Sequence, residues 1–387
     1  MESFVATSPE ELKAWDAFVA THPDAMHCHL SWWLAAHQRS FAETAIVICR
    51  DDGIVVGGAV VHVFRLPFVR QRVMIVGGGP LIAGVAGDVW GVSETAAADS
   101  NIQKQRERDI LEAVLAAIEE VGRQRGALLI QYEAFCNALT QPLRDHYAAH
   151  RVSDGPIWKL YSPVLWREFR VRLAGRTPQE ILADFNQGTR RKIRKAQKSE
   201  LRIDAVERNE ATMRDVHDVW VEDAQRQSYT PRPFDQVWRL YEESLRRGVG
   251  EVLIAWAGDE IAGFNFILHF GVGTYYLHGG YRGKHAELCP NHVLQFEAMC
   301  RSLARGAAYY SLAAPGRDGL LQYKQGFGGD LVDHTRFVAV PLRPMRLLAL
   351  RPLIGDVRLV RIAKQWAARR WSAPTDDRRE AAEAAAP

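Results

Sequence analysis

The feature that most constrains this chain is an order of elements that occurs twice. AIVICRDDGIVVGGAVVHVF, from Ala45, and VLIAWAGDEIAGFNFILHF, from Val252, each alternate side chains around a turn signal, and Asp52-Gly53 and Gly258-Asp259 take equivalent places. Such patterning reads as a β-hairpin. After further strand-like sequence, each hairpin is followed by an amphipathic helix ending in a matched phrase, RGALLIQYEA from Arg125 and RGAAYYSLAA from Arg305. In the first helix Ile110, Leu111, Val114, Leu115, Ile118 and Val121 share a face, as Val293, Phe296, Cys300 and Leu303 do in the second. Gly126 and Gly306 stand where a helix stop favours a left-handed residue. The repetition predicts two α/β halves, each with a mixed sheet, in place of one doubly wound sheet.

Size and composition fit two cores. At 387 residues the chain exceeds what one core organises, and 47% hydrophobic with 25% charged residues is ordinary for a folded protein. The start, MESFVATSPEELKAW, lacks the basic-then-apolar order of a secretory signal, and Arg or Lys interrupts the apolar runs near the carboxyl end. A soluble cytoplasmic protein is the expectation. Cys28, Cys49, Cys136, Cys289 and Cys300 are scattered without a CxxC pair, which predicts reduced thiols and no structural metal site. His27-Cys28-His29 lacks a second ligand pair, and the neighbouring Trp32-Trp33 reads as core.

Turn formers and two prolines in GPIWKLYSPVLW place a boundary there, giving halves of residues 1–158 and 159–342. Residues 343–387 form a third part: a basic, leucine-bearing helical segment to 371, then a polar, alanine-rich tail expected to be disordered after Ser372.

The net charge of +3 is small but unevenly placed. Thr177, Pro178 and Glu180 supply an N-cap, an N1 proline and an N3 carboxylate, so a helix starts there. After Gly188, Arg190, Arg191, Lys192, Arg194, Lys195 and Lys198 crowd a short helix in which Ile193 and Ala196 can pack inward. Like charges at this spacing repel by a few tenths of a kcal/mol per pair, and a phosphate-bearing ligand relieves that cost. A solvated helix face is the alternative. Near the other end, APGRDGLLQYKQGFGG holds Lys324 among apolar neighbours and glycine turns. There it can present its ammonium to an oxyanion or a phosphate, or else its stem covers Phe327.

Taken together, NQGTRRKIRKAQKSELRI and LLQYKQGFGG resemble the Fem family of peptidoglycan aminoacyltransferases and its acetyltransferase-like (GNAT) domain. Arg191, Ile193, Arg194, Lys195, Ala196, Lys198, Leu201 and Ile203 fit the family's basic phrase. Lys324, Phe327, Gly328 and Gly329 fit its late "FK..FGG" phrase, and Pro290-Asn291 fits its Pro-led helix start after a strand bearing Tyr275, Tyr276 and Gly279-Gly280. The likeness covers residues 176–340 well and the amino half loosely. It departs in two places. Tyr323 stands where the family commonly has Phe, and the long helical hairpin with which some members contact tRNA is not found in the second half.

The resemblance implies two tandem GNAT-like domains and an N-acyltransferase without a permanently bound cofactor, in which an amine attacks an activated acyl carbonyl directly. The donor is aminoacyl-tRNA or acyl-CoA, and the acceptor is an amine of a peptidoglycan precursor. Lys324 is the expected catalytic group. Tyr323 is expected to line the acceptor channel, with Arg190, Arg191, Arg194 and Lys195 on carrier phosphate. Tyr276, His278 and Asp184 are candidates for the base, and Arg282, in the turn of YRGKHAE, for pyrophosphate. An acyl-CoA-dependent enzyme acting on a small amine, an amino sugar or an exopolysaccharide precursor is the alternative, and a non-catalytic nucleic-acid-binding protein is a second. The segment 343–371 is expected either to contact the membrane surface or to pack on the second half.

Overall fold

The computed structural model describes residues 1–36, 42–66, 71–85, 101–157, 162, 164–314 and 318–355. The chain forms two compact units, one of Met1–Trp166 with the chain from His334 onward, the other Arg167–Asp333.

The first unit begins with β1 (Glu2–Val5) and α1 (Pro9–Thr21), where Ser8 and Glu11 close a capping box and Pro9 occupies the first turn. After α2 (Ser31–Ala36), β2 (Ala42–Asp51) and β3 (Ile54–Arg65) form the expected hairpin. Its turn places Asp52 and Gly53 at φ of 49° and 80°, the left-handed pair that a two-residue hairpin connection requires. β4 (Arg72–Gly77), β5 (Leu81–Ile82), α3 (Asn101–Gln124), β6 (Ala127–Glu133) and α4 (Thr140–His146) follow. All six apolar residues read onto one face of α3 are buried, and α3 packs across β1, β2, β3 and β6. Burial of that stripe, at about 25 cal/mol per Å² of apolar surface, is what holds the helix to the sheet.

The second unit runs β7 (Arg167–Arg172), α5 (Pro178–Asp184), α6 (Gln187–Gln197), β8 (Arg202–Ala205), α7 (Glu210–Arg226) and α8 (Phe234–Arg246). It continues with β9 (Gly250–Ala257), β10 (Glu260–Phe270), β11 (Gly273–Tyr281), α9 (Pro290–Ala304), β12 (Tyr309–Ser311), α10 (Asp318–Gln325) and β13 (Asp330–Asp333). Its sheet order is β13-β7-β12-β11-β10-β9-β8, antiparallel except between β11 and β12. Thr177 and Glu180 form the expected capping box of α5, and Ile193 and Ala196 of α6 are buried as their spacing predicts. Phe185, Ile193, Leu294, Met299, Tyr310 and Phe327 share the core. The phrase after α10 is built for closure: Phe327 packs against Phe185 at 5.2 Å and Tyr323 at 5.1 Å between centroids. A Cβ at Gly329 would lie 2.7 Å from the Arg170 carbonyl, so only glycine lets the chain pass there.

The chain then returns to the first unit. β14 (Phe337–Pro341) pairs antiparallel with β6, and the first sheet reads β1-β2-β3-β4-β6-β14, with β5 on β3. The expected cut between 342 and 343 does not follow this division, because a hydrogen-bonding partner so distant in sequence leaves no local signal. α11 (Pro344–Gly355) ends the described chain. The rest of the basic segment, and the tail expected to be disordered, lie outside the described residues.

Phe327 has no exposed surface, and truncating a buried Phe costs about 3 to 5 kcal/mol. Phe327→Ala is therefore expected to lower the unfolding free energy by that amount, read as a lower urea midpoint at unchanged slope by circular dichroism.

Candidate functional site

β11 decides where a ligand can enter. It pairs with β12 through Gly273–Tyr309, Thr274–Tyr310 and Tyr275–Ser311. Beyond Tyr275, no strand among the described residues continues this pairing on the β12 side. A bulge on the β10 side, between Phe266↔His278 and Ile267↔Tyr276, inserts Leu277 and re-aims the residues after it. The result is a cavity of about 850 Å³ in the second unit. Tyr276, His278 and Tyr281 of β11 line it, with Trp220, Asp223 and Arg226 of α7, Asn291 and His292 of α9, and Tyr323 and Lys324 of α10.

Lys324 is 4% exposed. Its ammonium donates to the carbonyl of Ala314, and no carboxylate among the described residues pairs with it. Burial pushes its pKa down to about 8. The neighbouring Tyr323 hydroxyl donates to the Asn291 carbonyl over 3.1 Å, and burial raises its pKa far above the ordinary value, so it is a neutral donor. The lysine is a buried cation facing space, and its stem does not serve as surface cover for Phe327.

Both expected bases on β11 line the cavity, but burial weakens them. His278 stacks on Trp220 at 4.6 Å and is pushed down to about 3 by burial and then by Arg232, so it is neutral at physiological pH. The Tyr276 phenol is raised by burial and then by Tyr229 and Asp223, so phenolate is not accessible. Asp184 pairs with Arg176 at 2.6 Å and does not line the cavity.

The basic run divides by helical phase. Lys192 is its one member among the cavity-lining residues. Arg190 donates to the Ala183 carbonyl over 2.7 Å and to that of Phe185, closing the end of α5. Lys195 pairs with Glu287 at 3.0 Å. Arg191 and Arg194 are exposed, with neither among the cavity-lining residues. Arg282 also stands elsewhere, pairing with Glu222 at 2.8 Å and lying 3.8 Å from Glu260.

Two cavity groups were missed in the sequence. Asp223 is 2% exposed and accepts from Arg226 and from Gln227, the latter at 2.8 Å; burial raises its pKa against the lowering by Arg226. Arg226 lies 3.9 Å over the Tyr281 ring and donates to its hydroxyl at 2.5 Å, so the guanidinium is fixed at the wall. Their signal was present: Val216, Val219, Trp220 and Asp223 follow helical spacing, which puts an acid on an otherwise apolar face.

Residues 183–325, which include β11, β12 and Lys324, match the family described as Acetyltransferase (GNAT) domain. FemX superposes with a TM-score of 0.71 at 14% identity, covering 91% of this chain and all of its own. The fold is that of a tandem GNAT protein of the Fem type. The resemblance drawn from sequence is borne out at the level of the fold, and the stretch that matches the GNAT domain lies within the second unit. The fold is shared with L-PGS from Bacillus licheniformis, TM-score 0.52 at 12% identity, covering 90% of this chain and 98% of that one. It is shared as well with the C-terminal domain of a putative lysylphosphatidylglycerol synthetase from Agrobacterium fabrum, TM-score 0.51 at 12% identity, with 88% and 94% covered. No curated protein matches this chain in sequence.

Because burial disfavours the ammonium of Lys324, the folded state holds that proton less tightly than the unfolded chain. From about pH 8 up to the ordinary 10.5 the unfolded chain binds the extra proton, and stability from this group rises with pH. At neutral pH the buried charge costs on the order of 3 kcal/mol. Lys324→Met is expected to unfold no earlier than the parent at pH 7, with the parent gaining on it between pH 8 and 10, by thermal denaturation across pH.

Proposed function

We propose that this chain is an N-acyltransferase that moves an aminoacyl or acyl group from an activated, phosphate-bearing carrier onto an amine of a peptidoglycan precursor. The observation that carries the reading is Lys324, a buried ammonium without a carboxylate partner among the described residues, at a cavity beside the unpaired stretch of β11. The amine nitrogen bonds to the acyl carbon, and the carbonyl electrons move to oxygen. Lys324 stabilises that oxyanion. Collapse breaks the bond to the carrier, whose leaving oxygen or sulfur takes the proton given up by the attacking nitrogen. Tyr323, held by Asn291, bounds the acceptor side, and His278 and Tyr276 line the slot as neutral polar groups. Lys192 and the fixed Arg226 are the cavity cations placed to meet phosphate; Arg190, Arg191, Arg194, Lys195 and Arg282 are not assigned this role. Aminoacyl-tRNA is the donor that the Fem-type fold favours. Cytoplasmic location completes the reading.

One observation favours acyl-CoA as the donor instead. An unpaired strand edge offers backbone donors and acceptors to an extended amide-bearing chain, as strand addition does, and the arm of acyl-CoA has that chemistry. The acceptor would then be a small amine, an amino sugar or an exopolysaccharide precursor. A nucleic-acid-binding protein without catalysis leaves the buried Lys324 unexplained.

The test supplies radiolabelled acyl-CoA and aminoacyl-tRNA separately, with amine acceptors, and measures transfer. Lys324→Met is expected to lower turnover on the order of 100-fold with binding of the carrier retained. Unchanged turnover removes the lysine from the mechanism, and label transfer from neither carrier rejects the reading. With the parent, turnover is expected to fall as pH rises through about 8, where Lys324 loses its proton. Lys324→Arg, which keeps its charge, should abolish that falling limb in the pH–rate profile.

A further inference from the structure

A helix with apolar side chains on opposite sides belongs in an interior, and α11 is only half covered. Leu347 is buried among Phe64, Leu66, Val73, Leu128 and Leu129, with Leu350 partly buried beside it. Met345 and Leu348 are 79% and 61% exposed. The surrounding charge has one predominant sign. Arg346 is exposed, and the Arg343 guanidinium lies beside Gly126. Next to it in sequence, Arg125 shares a single carboxylate, Glu43, with Arg65 at 3.9 Å and Arg72 at 3.5 Å. From 343 to 371 the sequence carries eight Arg or Lys residues against one acid, Asp356.

We propose that this face of the first unit docks on an anionic lipid surface. Met345 and Leu348 enter the interface between headgroups and acyl chains, and the guanidinium groups meet lipid phosphates. The alternatives fit the same residues less well. Folding residues 356–371 back over α11 would set more cations on Arg343 and Arg346. An RNA would answer the cations but leave both apolar side chains in water. A surface that is apolar beneath an anionic layer satisfies the two together.

The test is sedimentation of the full chain with vesicles of phosphatidylcholine alone or with about a third phosphatidylglycerol, at about 0.1 M and 0.5 M salt. At low salt, binding to the anionic vesicles should exceed that to neutral ones at least about tenfold, and high salt should remove most of the difference. Met345→Ser with Leu348→Ser should weaken anionic binding about tenfold. Both side chains are exposed, so the unfolding midpoint should not move. Arg346→Glu, at a second exposed position, should weaken it as well. Equal sedimentation with both vesicle types, parent-like binding by both variants, or retention on RNA without vesicle binding would overturn the proposal.

Discussion

The second unit depends on a parallel strand pair that stops early. β12 ends its pairing with β11 at Ser311, while β11 runs on to Tyr281. An unpaired backbone edge inside a protein is costly unless something answers its donors and acceptors. Here it borders a cavity, so an incoming ligand can supply what a neighbouring strand would have. The first unit makes the same parallel pairing differently. β4 stays paired with β6 to its last residue, Gly77 opposite Glu133, and Gly78 extends the contact by donating to the Glu133 carbonyl at 2.8 Å. One repeat is open between its parallel strands and the other is closed there.

Around the open pair, the structure spends stability on chemistry. A lysine whose one hydrogen-bond partner among the described residues is a backbone carbonyl, two histidines held neutral by burial, and an acid wedged beneath an arginine are poor choices for a core. They share one cavity, and packing on its far side supports them. Phe327 and the glycines after it press α10 onto α5 and β7, which fixes the lysine's backbone. Mutating this packing would disturb the site without touching a substrate.

Local features of the fold were legible in the sequence. Asp52-Gly53 and Gly258 announce hairpin turns because few residues accept positive φ. Thr177-Pro178-Glu180 announces a helix start because its side chains satisfy backbone groups nearby. Lys324 stood out because its neighbours are apolar. What the sequence hid is set by distant partners or by helical phase. Six cations within nine residues read as one binding surface, but a helix turns them in several directions, and Arg190 and Lys195 are taken by neighbours. Asp223 was visible as an acid among core positions, yet its meaning needed Arg226, Tyr281 and the bend of β11. β14 gave no sign that it pairs with β6 and not with the strands just before it.

That return has a consequence for synthesis on the ribosome. The second unit is an insertion between two parts of the first, and the His334 amide meets the Trp166 carbonyl at 2.6 Å, closing the excursion. Residues 167–333 can therefore complete their sheet while the earlier-made sheet still waits for its last strand. Until residue 341 emerges, β6 stands as a bare, mostly apolar edge, ALLIQYE, of the kind that invites association with other nascent chains. The part made first is the part finished last.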